Sequence, residues 1–243
     1  MVEWRNLPGT VVLAHRGAAH AAPENTLAAF ALALSEGADG IEFDVHRTAD
    51  GHLVVLHDEV VDRTTNGFGP VSQMTLEQVR TLDAGSWFDP RFAGEKVPLL
   101  EEVLELARGH LLVDIELKTS GIEAQVVETV RKFRMAPSVL ISSFSREAIS
   151  AVKEIAPEIA VGLLSLHGDP SEALSLGVQV FLPSVGVLSK DCVESCHRQG
   201  ISVVTWTILT EQDAREAIRL GVEGIIADDP VMARRALEEE RNR

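Results

Sequence analysis

Short runs rich in Val, Ile and Leu alternate with longer segments whose apolar residues recur at three- and four-residue spacing. The alternation continues from one end of the chain to the other. The short runs predict strands at Thr10–His15, Gly40–His46, Leu111–Lys118, Val139–Phe144, Ala160–Ser165, Val178–Pro183, Ser202–Ile208 and Gly224–Asp228. The longer segments predict helices near Thr26–Ser35, Leu99–Arg108, Ile122–Phe133, Arg146–Ile155, Pro170–Leu176, Lys190–Gln199, Glu211–Leu220 and Val231–Glu239. Ser145, Ser189 and Thr210 stand where N-caps are needed, and Gly37, Gly177, Gly200 and Gly221 stand where helices must stop. Gly37-Ala38-Asp39-Gly40-Ile41 and Gly221-Val222-Glu223-Gly224-Ile225 repeat one helix-to-strand junction, the mark of a recurring unit. Eight strand–helix units in 243 residues predict an α/β chain closed as a (β/α)8 TIM barrel. A doubly wound open sheet would need a glycine-rich phosphate-binding fingerprint, and the sequence has none.

One segment breaks the rhythm. After the second barrel strand comes a small insertion, residues 50–96, too long for a strand-to-helix loop. It predicts a further short strand at Leu53–His57, turns at Asn66-Gly67 and Gly69-Pro70, and a helix near Leu76–Thr81. Structured insertions at such positions usually wall or cover a site. No linker or low-complexity stretch divides the chain, so residues 1–243 read as a single domain with an insertion.

A hydrophobic fraction of 45% with 24% charged residues is ordinary for a folded globular chain, which excludes disorder as the main character. Lys and Arg number 22 against 37 Asp and Glu, a net charge of −15. A surface that negative repels nucleic acid and anionic membrane, so neither nucleic-acid binding nor stable membrane association is expected. An anionic ligand must be met by a few local cations. Met1–Asn6 lacks the basic region and apolar core of a signal peptide, and no apolar run is long enough to span a bilayer. Cys192 and Cys196, four apart in a predicted helix, read as reduced, idle thiols rather than a metal pair. A cytoplasmic location is expected.

Candidate chemistry collects at strand ends, where barrels of this kind carry their sites. The first strand ends in His15-Arg16-Gly17, the second carries Glu42 and Asp44, and the third carries Glu116 and Lys118. The insertion adds His57-Asp58, and Trp206 lies near the end of the seventh strand. Alternation puts Glu42 and Asp44 on one face, with Ile41, Phe43 and Val45 turned to the helices; Glu116 and Lys118 likewise share a face. Acids facing into a barrel need their charge offset. Three of them converging point to one hard divalent cation, Mg²⁺ or Ca²⁺. Buried salt bridges to Arg16 and Lys118 are the alternative, but three acids against two cations leave a deficit. Imidazoles at His15 and His57 suit proton transfer near neutrality.

These motifs, in order, carry a resemblance. His15-Arg16-Gly17, Pro23-Glu24-Asn25-Thr26, Gly40-Ile41-Glu42-Phe43-Asp44-Val45, His57-Asp58 and Asp62-Arg63-Thr64-Thr65-Asn66-Gly67 resemble the glycerophosphodiester phosphodiesterase family. Asp114-Ile115-Glu116-Leu117-Lys118, Thr205-Trp206-Thr207 and Gly224-Ile225-Ile226-Ala227-Asp228 extend the match to the far end of the chain. Asp228-Asp229-Pro230 stands where the family usually has Asp-aromatic-Pro, a departure that bears on rim packing rather than chemistry. The resemblance implies a TIM barrel that hydrolyses glycerophosphodiesters to glycerol 3-phosphate and an alcohol with a divalent metal. It implies Glu42, Asp44 and Glu116 as metal ligands, His15 and His57 as the acid–base pair, Arg16 and Lys118 as phosphate-binding groups, and Trp206 as pocket lining. Asn25 either contacts substrate or orients His15, or else caps the first helix. Glu24 can pair with Arg16, Asp58 is either an orienting or a surface acid, and Asp114 reads as a hydrogen-bonded interior acid. The remaining histidines, His46 among them, read as surface or internally satisfied groups.

Alternatives stay open at this stage: a lysophospholipid-cleaving phosphodiesterase, a barrel that only binds phosphorylated polyols, or a Schiff-base aldolase-type enzyme using Lys118. The last needs neither a carboxylate cluster nor paired histidines.

Overall fold

The computed structural model describes residues 3–242; Met1 and Val2 of the opening segment lie outside them. The predicted strands close into a parallel barrel. Its staves are β1 (Val11–His15), β2 (Gly40–Arg47), β4 (Leu112–Leu117), β5 (Val139–Ser143), β6 (Ala160–Ser165), β7 (Val180–Pro183), β8 (Ser202–Ile208) and β9 (Gly224–Ala227). Each pairs in parallel with the next, and β1 closes the ring by pairing with both β2 and β9. The extra strand β3 (Leu53–Val55) belongs to the insertion and runs antiparallel to the end of β2. Leu56 N–H carries the same register one step further by bonding the Asp44 carbonyl, and His57 follows at the barrel mouth.

Helices α1 (Leu27–Ser35), α3 (Leu100–Ala107), α4 (Glu123–Phe133), α5 (Arg146–Ile155), α6 (Ser171–Leu176), α7 (Lys190–His197), α8 (Glu211–Leu220) and α9 (Pro230–Arg241) lie between and after the staves. Ser145, Ser189 and Thr210 cap α5, α7 and α8 by accepting from backbone N–H groups. Helix α1 is capped by Thr26, not by Asn25. Helix α2 (Leu76–Thr81), inside the insertion, starts with a capping box between Thr75 and Gln78.

Apolar packing falls into three bodies. Outward residues such as Ile41, Phe43, Ile115 and Ile141 pack under the helices. Inward residues, including Leu13, Leu112, Leu140, Leu182 and Val204, fill the barrel's lower half. Trp4 belongs to this inner body and closes the amino-terminal end, its indole N–H bonding the Val113 carbonyl at 3.0 Å. Val54, Leu56, Val61, Val71, Val79, Ala84 and Val97 give the insertion a small core of its own. Gly40 is required where β2 enters beside β4: a Cβ there would stand 2.7 Å from the Leu112 carbonyl oxygen. Cys192 and Cys196 are free and buried on α7.

With its lower half full of hydrocarbon, the barrel leaves polar side chains only its carboxyl-terminal end.

Candidate active site

Strand register brings the acids together. Glu42 lies opposite Asp114, and Asp44 opposite Glu116, across the β2–β4 pair. Carboxylate oxygens of Glu42, Asp44 and Glu116 lie within 4.8 Å of one another, and each side chain is buried. Burial, reinforced by Asp44, Glu116 and Asp114, lifts Glu42 well above the usual carboxylate range against the pull of Arg16. Glu116 is pushed up to about 7, first by burial and then by Asp44, with Lys118 opposing. Burial also works on Asp44, but Lys118, Arg16, His57 and the Asn25 amide outweigh it and hold that group low. Three buried acids that cannot all be charged without help fit a hard cation: oxygen donors only, close together, with positive charge in deficit.

The turn after β1 hands over the cations. Arg16 adopts a left-handed backbone (φ 55°) and Gly17 follows at φ 84°, where a Cβ would clash with Ala29 at 2.7 Å. This tight turn points the Arg16 N–H at Glu42 Oε2, 3.2 Å away. The Arg16 guanidinium reaches Glu24 Oε1 at 2.9 Å and stands 3.4 Å from Asp44 Oδ2. Lys118 Nζ sits between Glu116 Oε1 (2.6 Å) and Asp44 Oδ1 (3.1 Å). Those two carboxylates outweigh burial and hold the ammonium above its ordinary value. Lys118 is therefore protonated and salt-bridged, the wrong state for a Schiff-base nucleophile. Asn25, just ahead of α1, donates its amide to Asp44 Oδ2 at 2.8 Å and steadies that carboxylate.

Both imidazoles are tethered. His15 Nδ1 donates to Asp228 Oδ1 and His57 Nδ1 to Asp58 Oδ1, each at 2.6 Å. A carboxylate can only accept, so each tether assigns the proton to Nδ1 and leaves Nε2 free. His15 Nε2 lies 3.9 Å from Glu42 Oε2. Burial depresses His57 below its usual value against the pull of Asp44 and Asp58. Arg63 grips both Asp58 (2.7 Å) and Glu24 (2.7 Å), which ties the His57 tether to the partner of Arg16. His46, buried, donates from Nε2 to the His57 carbonyl (3.1 Å) and accepts from Thr119 Oγ1 (3.0 Å). It is an internally satisfied histidine, as expected, and it pins the insertion to the loop after β4.

Asp228, given no role of its own by the sequence reading, is the acid that orients His15. Its position was readable: β9 and β1 are neighbours once the barrel closes, so the residue after β9 falls beside the residue ending β1. Asp58 is an orienting acid rather than a surface one. Asp114 is an interior acid, as expected; Ser142 lies near enough to pull it down against burial, but neither carboxylate oxygen has a well-formed hydrogen bond among the described residues. Trp206 lines the cavity; its Nε1 donates to the Leu182 carbonyl at 2.8 Å, and its ring meets Phe144 edge-on at 5.6 Å.

One narrow cavity joins His15, Glu42, Asp114, Glu116, Ser142 and Trp206, with Leu164 and Ile226 as apolar walls. Displacement at phosphorus needs anchored positive charge, a proton acceptor and a proton donor, so this barrel mouth suits the class of phosphoester-cleaving enzymes. Comparison with known proteins narrows the class. The model of the glycerophosphoryl diester phosphodiesterase family matches residues 15–232. A glycerophosphodiester phosphodiesterase of Caldanaerobacter subterraneus is 44% identical over 91% of this chain and 95% of its own length. The crystal structure of a glycerophosphodiester phosphodiesterase from Agrobacterium tumefaciens is 37% identical, with a TM-score of 0.84 over 92% of this chain and 98% of that one. An Oleispira antarctica phosphodiesterase, solved with its product sn-glycerol-3-phosphate, superposes with a TM-score of 0.86 at 29% identity, covering 95% of this chain and 97% of that one. The chain belongs to the glycerophosphoryl diester phosphodiesterase family and is an enzyme of that activity.

Proposed function

We propose that the barrel mouth hydrolyses glycerophosphodiesters to glycerol 3-phosphate and an alcohol, with His15 and His57 as the acid–base pair. The tethered imidazoles carry this reading: each has its Nδ1 proton held by an acid, so each offers Nε2 to the reaction. One histidine takes the proton of the attacking hydroxyl, and the other protects the departing alkoxide by giving it a proton. Arg16 and Lys118 hold the phosphoryl oxygens. Lys118 has three donors and spends two on Glu116 and Asp44, so one remains for substrate. Trp206 forms a wall of the pocket, and Asn25 keeps Asp44 aimed while standing beside the substrate. Glu42, Asp44 and Glu116 would hold one divalent cation, Mg²⁺ or Ca²⁺. Bound there, it supplies Lewis-acid polarisation of a phosphoryl oxygen and the positive charge the cluster lacks.

The substrate is a small molecule, and neither nucleic acid nor a stable membrane contact is part of the reading. Among the described residues no helix is long and apolar enough to cross a membrane. The free, buried cysteine pair suits a reducing cytoplasm. A lysophospholipid is the second reading, favoured by exposed Phe144, Leu166 and Leu209 on the loops that follow β5, β6 and β8. Turnover of glycerophosphocholine against lysophosphatidylcholine, with coupled detection of glycerol 3-phosphate for the first, decides between them. Higher kcat/KM on the lysolipid would replace the small-substrate reading.

A further inference from the structure

Behind the carboxylate cluster the cavity ends in groups with unmet hydrogen-bonding capacity. Asp114 is fully buried, yet neither of its oxygens meets a partner, and the buried Ser142 hydroxyl beside it meets none either. Both side chains face the cavity that also holds His15, Glu42 and Glu116. Buried polar atoms are normally satisfied, so orphans that line a cavity mark the place of a missing partner. Its chemistry is constrained. Glu42 and Glu116 close by repel an anion, and an apolar group would leave three polar atoms stranded. A hydroxyl fits this floor: its O–H donates to one Asp114 oxygen, and its oxygen accepts from the Ser142 O–H. Leu164 and Ile226 flank the floor with surface suited to carbon–hydrogen groups.

We infer that Asp114 and Ser142 form a hydroxyl-binding floor that seats the terminal hydroxyl of the substrate's glycerol, the one farthest from phosphorus. This rests on the glycerophosphodiester reading and deepens it. Arg16 and Lys118, partly exposed, hold the phosphoryl group toward the rim, whereas the floor is closed to solvent. A glycerol bound by its phosphate therefore points its far end inward. Chains that carry no hydroxyl there leave the floor unpaired, and the site rejects them.

The test pairs two substrates with three variants: glycerophosphocholine, and its analogue with the terminal glycerol hydroxyl replaced by hydrogen. Wild type should prefer the parent by about tenfold in kcat/KM, as for loss of one buried hydrogen bond. Asp114→Ala and Ser142→Ala should each shrink that preference to within about threefold, and Asp114→Asn, which keeps an acceptor oxygen, should restore part of it. Thermal unfolding of each variant checks folding; should Asp114→Ala not fold, Ser142→Ala and Asp114→Asn carry the comparison. A wild type that is active but indifferent to the hydroxyl, or variants that keep the full preference, would overturn the floor alone. A wild type inert on glycerophosphocholine would instead bring down the functional reading beneath it.

Discussion

At the level of single residues, the account depends on which nitrogen of each imidazole carries the proton. Asp228 and Asp58 decide that for His15 and His57. Asp228→Asn keeps the size but can present an N–H to Nδ1, which favours the other tautomer and buries the working lone pair. The expected result is a fall in kcat of about a hundredfold or more with KM little changed, read by steady-state kinetics. His15→Ala or His57→Ala should lower kcat by about 10²–10⁴-fold with the thermal transition retained; near-normal turnover would remove that residue from proton transfer. Residue types at strand ends made His15, His57, Glu42, Asp44, Glu116, Arg16 and Lys118 visible in the sequence, because period-two alternation sorts inward from outward. The tethers were harder to see. Asp228 lies 213 positions from His15, and only closure of the barrel makes them neighbours. Arg63, which links Glu24 to Asp58, was part of a recognised motif, but nothing in the sequence distinguishes that grip from a surface arginine.

Element by element, the cluster is a consequence of register. Glu42 faces Asp114 and Asp44 faces Glu116 because β2 and β4 pair without a slip over six consecutive residue pairs, from Gly40↔Leu112 to Val45↔Leu117. Gly40 allows that pairing to begin. Gly40→Ala drives a methyl into Leu112 backbone and side chain at under 3 Å, so the strands must part at their entry. We expect a loss of about 1–3 kcal/mol in unfolding free energy, seen as a lower denaturant midpoint. An unchanged midpoint would show that the β2–β4 register does not need the missing side chain. Strands and helices were legible because burial on one or both faces enforces their periodicity, and the caps at Ser145, Ser189 and Thr210 follow from local chemistry. Ends of elements were less so. The Leu53–His57 run keeps strand geometry only to Val55, with one more bond in the same register from Leu56 N–H to the Asp44 carbonyl before the chain turns at His57. Asn25 and Thr26 are both good caps, and the left-handed backbone of Asn25 (φ 58°) selects Thr26.

Across the whole molecule, a chain of net charge −15 encloses four buried acids in its barrel mouth, Glu42, Asp44, Asp114 and Glu116. Burial raises Asp114 to about 8, against a pull from nearby Ser142, and Glu116 to about 7. The ordinary values of 3.8 and 4.5 apply to the unfolded chain. Between about pH 4 and 8 the metal-free folded state therefore holds protons that the unfolded state has released. Stability of metal-free protein should fall as pH rises through that window, and thermal melts in chelator should show it; a transition that climbs from pH 5 to 8 would contradict the burial of these acids. A bound cation prefers the ionised carboxylates, so its stabilising effect should grow over the same interval. The most direct measurement is hydrolysis of glycerophosphocholine, followed by release of glycerol 3-phosphate, before and after EDTA and again with Mg²⁺ or Ca²⁺ restored, in wild type and Glu42→Ala. We expect chelation to abolish turnover, one of the two cations to restore it, and Glu42→Ala to need far more metal for the same rate. Turnover that survives chelation, or a Glu42→Ala enzyme with an unaltered metal requirement, would contradict the carboxylate cluster as the centre of this chemistry.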